Sequence, residues 1–386
     1  MAACTNRTTT TTTTGETMRT TGRPRIAAKA SLLALSLLLV LAACSQDSQD
    51  PAGPGVGPST LPGGTEVSRN GCLAREAKCS TARNGRIAWG QFIAFTGFGI
   101  FSAEPDGSDL RQLTTPVAGV YDDSHANWAP DGSTLLFERD FAGDLGVAQI
   151  FRINADGSGL TQLNDCTGDC LGNAFPSYSP DGTRIAFIRW VGPVRDDGNA
   201  TSGGVWIMNA DGSNPVQITE LQVPTVTENQ APSWSPDGRK LVFTQINTVA
   251  EPAGHQAIVV ASLDGSGLRR ITPWQLDATD ADWSPDGRVI LFTSHHDIVE
   301  PGQEQLYTVR PDGSGLERVV PRGLPLPANI GGKFSPDGHR IVFRHQTGLG
   351  DATISQAYTM NADGSDVRQV SFLDVAVDAP NWGTHR

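Results

Sequence analysis

The sequence predicts an all-β chain built from six repeats of one four-stranded unit. Three observations carry this reading. A turn phrase recurs behind an aromatic residue: WAPDG at Trp128, YSPDG at Tyr178, WSPDG at Trp234 and Trp283, and FSPDG at Phe334, at spacings of 50, 56, 49 and 51. A second turn, D-G-S, recurs at Asp106, Asp156, Asp211, Asp264, Asp312 and Asp363, at spacings of 50, 55, 53, 48 and 51. Between the turns lie only short β-rich runs, and no helical periodicity of useful length follows residue 85. A fixed period near 50 marks a repeat architecture.

Each element of the repeat has a mechanical reason. Pro130, Pro180, Pro236, Pro285 and Pro336 fix φ at about −65° in the second position of a type I turn. Asp131, Asp181, Asp237, Asp286 and Asp337 follow, with carboxylates that can bond the turn's own backbone. Gly132, Gly182, Gly238, Gly287 and Gly338 then accept the positive φ that closes the hairpin. The D-G-S turn works in the same way. Behind the first turn come runs such as Leu135-Leu136-Phe137 and Ile290-Leu291-Phe292; ahead of the second come Ile150–Ile153 and Val205–Met208. The unit is therefore strand A, S-P-D-G, strand B, loop, strand C, D-G-S, strand D, loop. Four such strands per repeat, set around an axis, make a propeller blade.

The ends fix the blade count. Asn84–Trp89 matches a B strand with no A strand before it, although Phe92–Phe95 competes for the same place. Ala379-Pro380-Asn381-Trp382 matches an A strand with nothing after it. Joining the two gives six closed antiparallel blades, with the terminal strands sharing one blade. Ring closure removes open sheet edges. The expectation is a monomeric propeller over residues 84–386.

Repeats of the form WSPDGxxIxF…ADGSxxxxLT resemble the TolB-like, WD-like β-propeller repeat, and the resemblance spans about residues 84–386. It is specific for fold and weak for function. The family includes periplasmic TolB, a partner in the Tol–Pal envelope system, and many surface proteins. TolB carries an additional N-terminal α/β domain. The segment ahead of the repeats here is short and polar, so the resemblance carries the propeller and not the TolB role.

That leading segment reads as a targeting signal and a tether. Residues 30–43 (ASLLALSLLLVLAA) are an apolar run behind Arg19, Arg23, Arg25 and Lys29, the layout of a signal peptide. The run ends Leu41-Ala42-Ala43-Cys44, which resembles a bacterial lipobox, with Cys44 as the lipidated first residue of the mature chain and Met18 as a plausible translation start. Ordinary secretion with cleavage near Ala43 is the alternative. Ser45 at the next position suggests the outer membrane, facing the periplasm. Residues 44–83 are rich in Pro, Gly and Ser and are expected to be a disordered tether.

The formal charge is −12. Residues 1–43 carry five basic side chains (Arg7, Arg19, Arg23, Arg25, Lys29) and one acid (Glu16), so the mature chain stands at −16. This argues against nucleic acid, whose binding needs clustered Lys and Arg. Cys72, Cys79, Cys166 and Cys170 remain. They allow three pairings, of which the local one, 72–79 with 166–170, is expected.

The sequence offers little chemistry. A D-G-S turn supplies one or two oxygens, fewer than a calcium loop needs. His295-His296-Asp297 is the sole His pair and has no further His or Cys near it in sequence, so a solvated loop is expected and no metal. No G-x-S-x-G elbow is present. No cofactor is expected. The repeated aromatics are expected to pack between blades rather than to stack on sugars.

What distinguishes the chain lies elsewhere. The A–B and C–D turns are uniform and share one face. The B–C and D–A segments meet on the other, and they vary: 138–149, 164–175, 188–204 and 293–304 differ in length and content. Variable loops on a rigid frame carry binding. Five residues ahead of each aromatic stand Asp123, Asn173, Asn229, Ala278, Asn329 and Val377; one residue ahead stand Asn127, Ser177, Ser233, Asp282, Lys333 and Asn381. Of these, Asp123, Asn173, Asn229, Asn329, Asn127, Asp282 and Lys333 are the candidates at the channel mouth, holding a ligand or ion, or else water that satisfies inner-strand backbone groups. The reading is a non-enzymatic binding protein for a protein, peptide or envelope glycan. The alternative is a glycan lyase or hydrolase with its site at the channel mouth.

Overall fold

The computed structural model describes residues 83–142, 147–192, 202–219, 232–246, 255–296, 304–325, 328–347, 354–372 and 376–385. Cys44, Cys72, Cys79, Asn229 and Asp297 lie outside them, as do the signal and tether segments up to residue 82.

Among the described residues, twenty-four strands form six four-stranded sheets. Blade 1 holds β1 (Asn84–Ile93), β2 (Gly97–Ala103) and β3 (Arg111–Gln112). Blade 2 is β4 (Tyr121–Trp128), β5 (Thr134–Phe141), β6 (Ala148–Asn154) and β7 (Thr161–Gln162). Blade 3 is β8 (Cys170–Tyr178), β9 (Arg184–Val191), β10 (Ser202–Asn209) and β11 (Val216–Gln217). Blade 4 is β12 (Ser233–Trp234), β13 (Lys240–Ile246), β14 (Gln256–Ser262) and β15 (Arg269–Arg270). A 3-10 turn, Trp274–Leu276, leads to blade 5: β16 (Ala278–Trp283), β17 (Ile290–Ser294), β18 (Gln305–Val309) and β19 (Glu317–Val319). Blade 6 is β20 (Ala328–Phe334), β21 (Arg340–Thr347), β22 (Ile354–Asn361) and β23 (Arg368–Gln369). The last strand, β24 (Val377–Thr384), returns to blade 1 and pairs antiparallel with β1.

The chain termini thus close the ring as the orphan strands require. The competition in blade 1 disappears, because Asn84–Trp89 and Phe92–Ile93 are parts of one long B strand. The seam is also bonded beyond its ladder: Trp382 Nε1 donates to the Gly85 carbonyl at 3.0 Å, and Thr384 Oγ1 donates to the Pro130 carbonyl of blade 2.

Hydrophobic side chains pack between blades. Trp283 of blade 5 shares a cluster with Val242, Ile258 and Val260 of blade 4. Trp128 of blade 2 packs with Ala88 and Ile100 of blade 1, and Trp234 of blade 4 with Ile188 and Val205 of blade 3. Each sheet has two apolar faces because each is sandwiched, which is why B and C strands read as near-continuous apolar runs.

Both turns close as their residues dictate. Gly182 N–H donates to the Ser179 carbonyl at 2.8 Å, with Gly182 at φ 70°. Asp181 Oδ1 accepts from the Thr183 backbone at 3.0 Å and from Ser179 Oγ at 2.6 Å. In all six D-G-S turns the Asp carboxylate accepts the serine backbone N–H at 2.9 Å. These carboxylates are occupied by their own turns. Those hydrogen bonds hold the Asp106, Asp211 and Asp264 carboxyls below the usual carboxylate range.

Candidate functional site

The six A strands surround the axis, and the residue preceding each aromatic lines it. Asn127, Ser177, Ser233, Asp282, Lys333 and Asn381 all border one central cavity of about 40 Å³, room for a few waters. The same residues link blade to blade. Asn381 Oδ1 accepts the Trp128 N–H at 3.3 Å, Asn127 Oδ1 the Tyr178 N–H at 3.0 Å, Ser233 Oγ the Trp283 N–H at 3.4 Å and Asp282 Oδ2 the Phe334 N–H at 2.9 Å. Four inner-strand N–H groups, at Trp128, Tyr178, Trp283 and Phe334, are thereby met by the neighbouring blade. Lys333 is an ammonium and cannot accept. It donates to the Ala281 carbonyl at 3.2 Å and lies 4.0 Å from Asp282 Oδ1. Burial raises the Asp282 carboxyl, and Lys333 and the Phe334 N–H oppose that rise.

The candidates five residues ahead of the aromatics stand behind this belt. Asp123 and Asn173 are fully buried and Asn329 nearly so. Asp123 holds Arg139 through two bonds, of 2.6 and 2.9 Å. Asn173 Oδ1 accepts from Arg189 Nε at 2.7 Å, and Asn329 Oδ1 lies 3.0 Å from His345 Nδ1. Asn173 and Asn329 also donate to Gln149 and Gln305 of the preceding blade, at 3.4 and 3.0 Å. These three side chains face neighbouring strands. The structure brings Asn127, Asp282 and Lys333 together at the axis and keeps Asp123, Asn173 and Asn329 apart from them.

One feature was invisible in the sequence. Five A strands carry a bulge with a left-handed residue three positions before the aromatic: His125 (φ 52°), Phe175 (54°), Asp280 (57°), Gly331 (64°) and Ala379 (37°). The ladder shifts register at each of these bulges. A bulge adds twist and re-aims a side chain out of the ladder. Four of the five residues are not glycine, at a cost of about 1–3 kcal/mol each. No shared residue type marks the position, so no motif exposes it.

At the first bulge this places His125 beside the axial cavity. Its Nδ1 lies 2.7 Å from Glu138 Oε1, its Nε2 3.8 Å from Asp378 Oδ2, and its ring meets Phe175 edge-on at 4.5 Å. Burial alone would lower the imidazole's pKa, but the Glu138 and Asp378 carboxylates outweigh it and raise it to about 10. Burial likewise opposes ionisation of Glu138, and the His125 charge overcomes it, leaving this carboxyl below its ordinary range. Glu138 also accepts from Ser124 Oγ at 3.0 Å and from the Phe175 N–H at 2.7 Å. Asp140 is pushed up to about 7 by burial and by the charge of Glu138. The mouth of blade 2 therefore holds an imidazolium–carboxylate pair and a carboxyl poised to exchange a proton near neutrality.

Other sequence candidates fall on the loop face. Cys166 and Cys170 form a disulfide across the D–A segment leading into β8. His295 contacts Glu304 at 2.7 Å and Thr279 Oγ1 at 2.8 Å.

Residues 176–349 match the family model of the TolB β-propeller domain. No curated protein matches the chain. Among solved structures, TolB from Acinetobacter baumannii is similar at TM-score 0.58 and 16% identity, over 77% of this chain and 66% of that one. A putative TolB from Agrobacterium tumefaciens is similar at TM-score 0.54 and 20% identity, over 78% and 92%. Hydrazine synthase from Kuenenia stuttgartiensis is similar at TM-score 0.58 and 18% identity, over 78% and 46%. The chain thus spans just under two thirds of the Acinetobacter TolB chain and under half of the hydrazine synthase chain. At such identities the likeness is one of fold. With residues 176–349 matched by that family model and its strands closed into six blades, the chain is a six-bladed β-propeller similar in fold to TolB.

Proposed function

We propose that this chain is a binding and scaffold protein of the bacterial envelope, lipid-anchored through Cys44 to the outer membrane and facing the periplasm. It recognises a protein, peptide or envelope glycan on the face where the B–C and D–A segments meet. The observation that carries the reading is the asymmetry of the ring: one face repeats its two turns blade after blade, and the other differs in every blade. The test is capture from envelope extract by the full chain and by two variants. Replacing only residues 193–201, between β9 and β10, with a short Gly-Ser link abolishes capture and barely moves stability, since each doubling of loop length costs only about 0.6 kcal/mol. Pro236→Ala with Gly238→Val lowers stability and leaves capture intact in the folded fraction. The opposite pattern would put the site on the turn face.

A second reading has one specific observation behind it. Asp140, poised at about 7 beside His125 and Glu138, has the acidity of a general acid for glycan cleavage. Glu138, whose two oxygens already accept from Ser124 and Phe175, is poorly free to serve as its partner, and the axial cavity is too small for a sugar ring. Binding is therefore the favoured function. Release of glycan ends by the wild type and not by Asp140→Asn would reverse that choice.

A further inference from the structure

Three side chains from two blades meet on the loop face. His255 stands just ahead of β14 in blade 4, Asp277 follows the 3-10 turn between blades 4 and 5, and His296 stands just after β17 in blade 5. One ligand atom from each lies within 4.8 Å of the other two. His296 Nε2 is 3.7 Å from Asp277 Oδ2, and the two imidazole rings are 5.6 Å apart. His255 Nδ1 is buried and has no hydrogen-bond partner among the described residues. A buried ring nitrogen without a partner is unfavourable, and a metal ion would satisfy it.

We propose that His255, Asp277 and His296 bind one divalent transition-metal ion, zinc by its chemistry, at the junction of blades 4 and 5. Two imidazoles and one carboxylate suit zinc better than calcium or magnesium, which take oxygen ligands. A tetrahedral ion with bonds of about 2.0–2.1 Å sets its ligand atoms about 3.4 Å apart. Reaching that spacing needs a small inward movement, and the exposed His296 side chain is free to make it.

The other two sides of the site are preset. Asp277 Oδ1 accepts the Gln256 N–H at 2.7 Å, which leaves Oδ2 toward His296. Asp277 is left-handed, at φ 46° and ψ 58°, with its N–H on the Trp274 carbonyl. Its carbonyl accepts the His295 N–H, and the Leu276 carbonyl accepts the His296 N–H, each at 3.3 Å. The backbones carrying two of the ligands are thus tied to each other. Three protein ligands leave a fourth position for water or for a carboxylate of a bound molecule, as in open zinc sites. The bound ion would also staple blade 4 to blade 5. His296 had no partner near it in the sequence; the fold supplies His255 from the preceding blade.

The test uses the untagged full chain, stripped with a chelator and titrated with Zn²⁺ and then Co²⁺. One ion binds per chain and raises the melting temperature. Bound cobalt gives tetrahedral visible bands without a thiolate charge-transfer band. His255→Ala and His296→Ala each weaken zinc binding by roughly 10-fold or more and remove the cobalt bands, with circular dichroism unchanged. Failure of the wild type to bind a stoichiometric ion overturns the proposal. So does undiminished binding by His296→Ala, whose exposed side chain leaves the fold intact.

Discussion

On the turn face, a methyl group at Gly212 would lie 1.9 Å from the Leu163 carbonyl oxygen of the preceding blade, and at Gly265 and Gly364 it would meet the Ile218 and Val320 carbonyls at 2.2 and 2.1 Å. Within the A strands, by contrast, the bulged position is filled by Ala in blade 1, His in blade 2, Phe in blade 3, Asp in blade 5 and Gly in blade 6. The first position touches the same backbone atom in blade after blade and tolerates one residue. The second is set by the backbone bulge and accepts several residue types, even where its side chain packs across blades as His125 does on Phe175. Uniformity here marks a close approach of one blade to the backbone of the next, and variety marks positions with room for more than one side chain.

Breaking the ring at its seam should have the largest effect. Deleting residues 378–386 removes nearly all of β24 and leaves β1 as an open edge beside the axis. The expected outcome is loss of the cooperative unfolding transition, and equal thermal stability of truncated and full-length chains would refute closure by the shared blade. Next comes the blade interface: Trp283→Ala should cost about 3–5 kcal/mol in chemical denaturation, because the ring fills the space between blades 4 and 5.

A finer cut separates the two turns of the uniform face. Gly212 (φ 88°) and Gly238 (φ 66°) both need the left-handed region, which costs an L-residue about 1–2 kcal/mol. A methyl at Gly238 would meet nothing closer than 3.9 Å. Gly212→Ala adds a clash with backbone, worth about 1–3 kcal/mol more. Matched losses in the two variants would mean that the D-G-S turn can slide away from its neighbour.

The smallest effect tests the mouth. His125 and Asp140 hold their protons more tightly folded than unfolded, with values of about 10 and about 7. Where the native state binds more protons, stability falls as pH rises. The Asp140 contribution is lost between about pH 4 and 7, and that of His125 between about pH 6.5 and 10. Melting temperature should decline across both windows, and His125→Gln should flatten the upper one. An unchanged slope in that variant would mean that His125 is not held charged by Glu138 and Asp378.

Much of this was legible in the residues. Pro, Asp and Gly at fixed offsets define each hairpin locally, so the strand count, the blade count and the terminal seam followed without long-range information. The belt residues were also readable, because a position one before each aromatic is polar in all six repeats. The burial of Asp123, Asn173 and Asn329 was not. Their partners lie 16 residues on, in strand B, and the same polar residue types suit an open channel or a closed pair equally well.

The sequence by itself determined the repeat, its turns and the closed six-bladed ring, since each rests on backbone preferences that act within a few residues. Only the tertiary structure decided where the A strands bulge, that His125 meets Glu138 and Asp378, and that His255, Asp277 and His296 converge. Those arrangements come from packing six inner strands around a narrow axis, a constraint that acts on the whole ring and leaves no shared residue type at the positions it shapes.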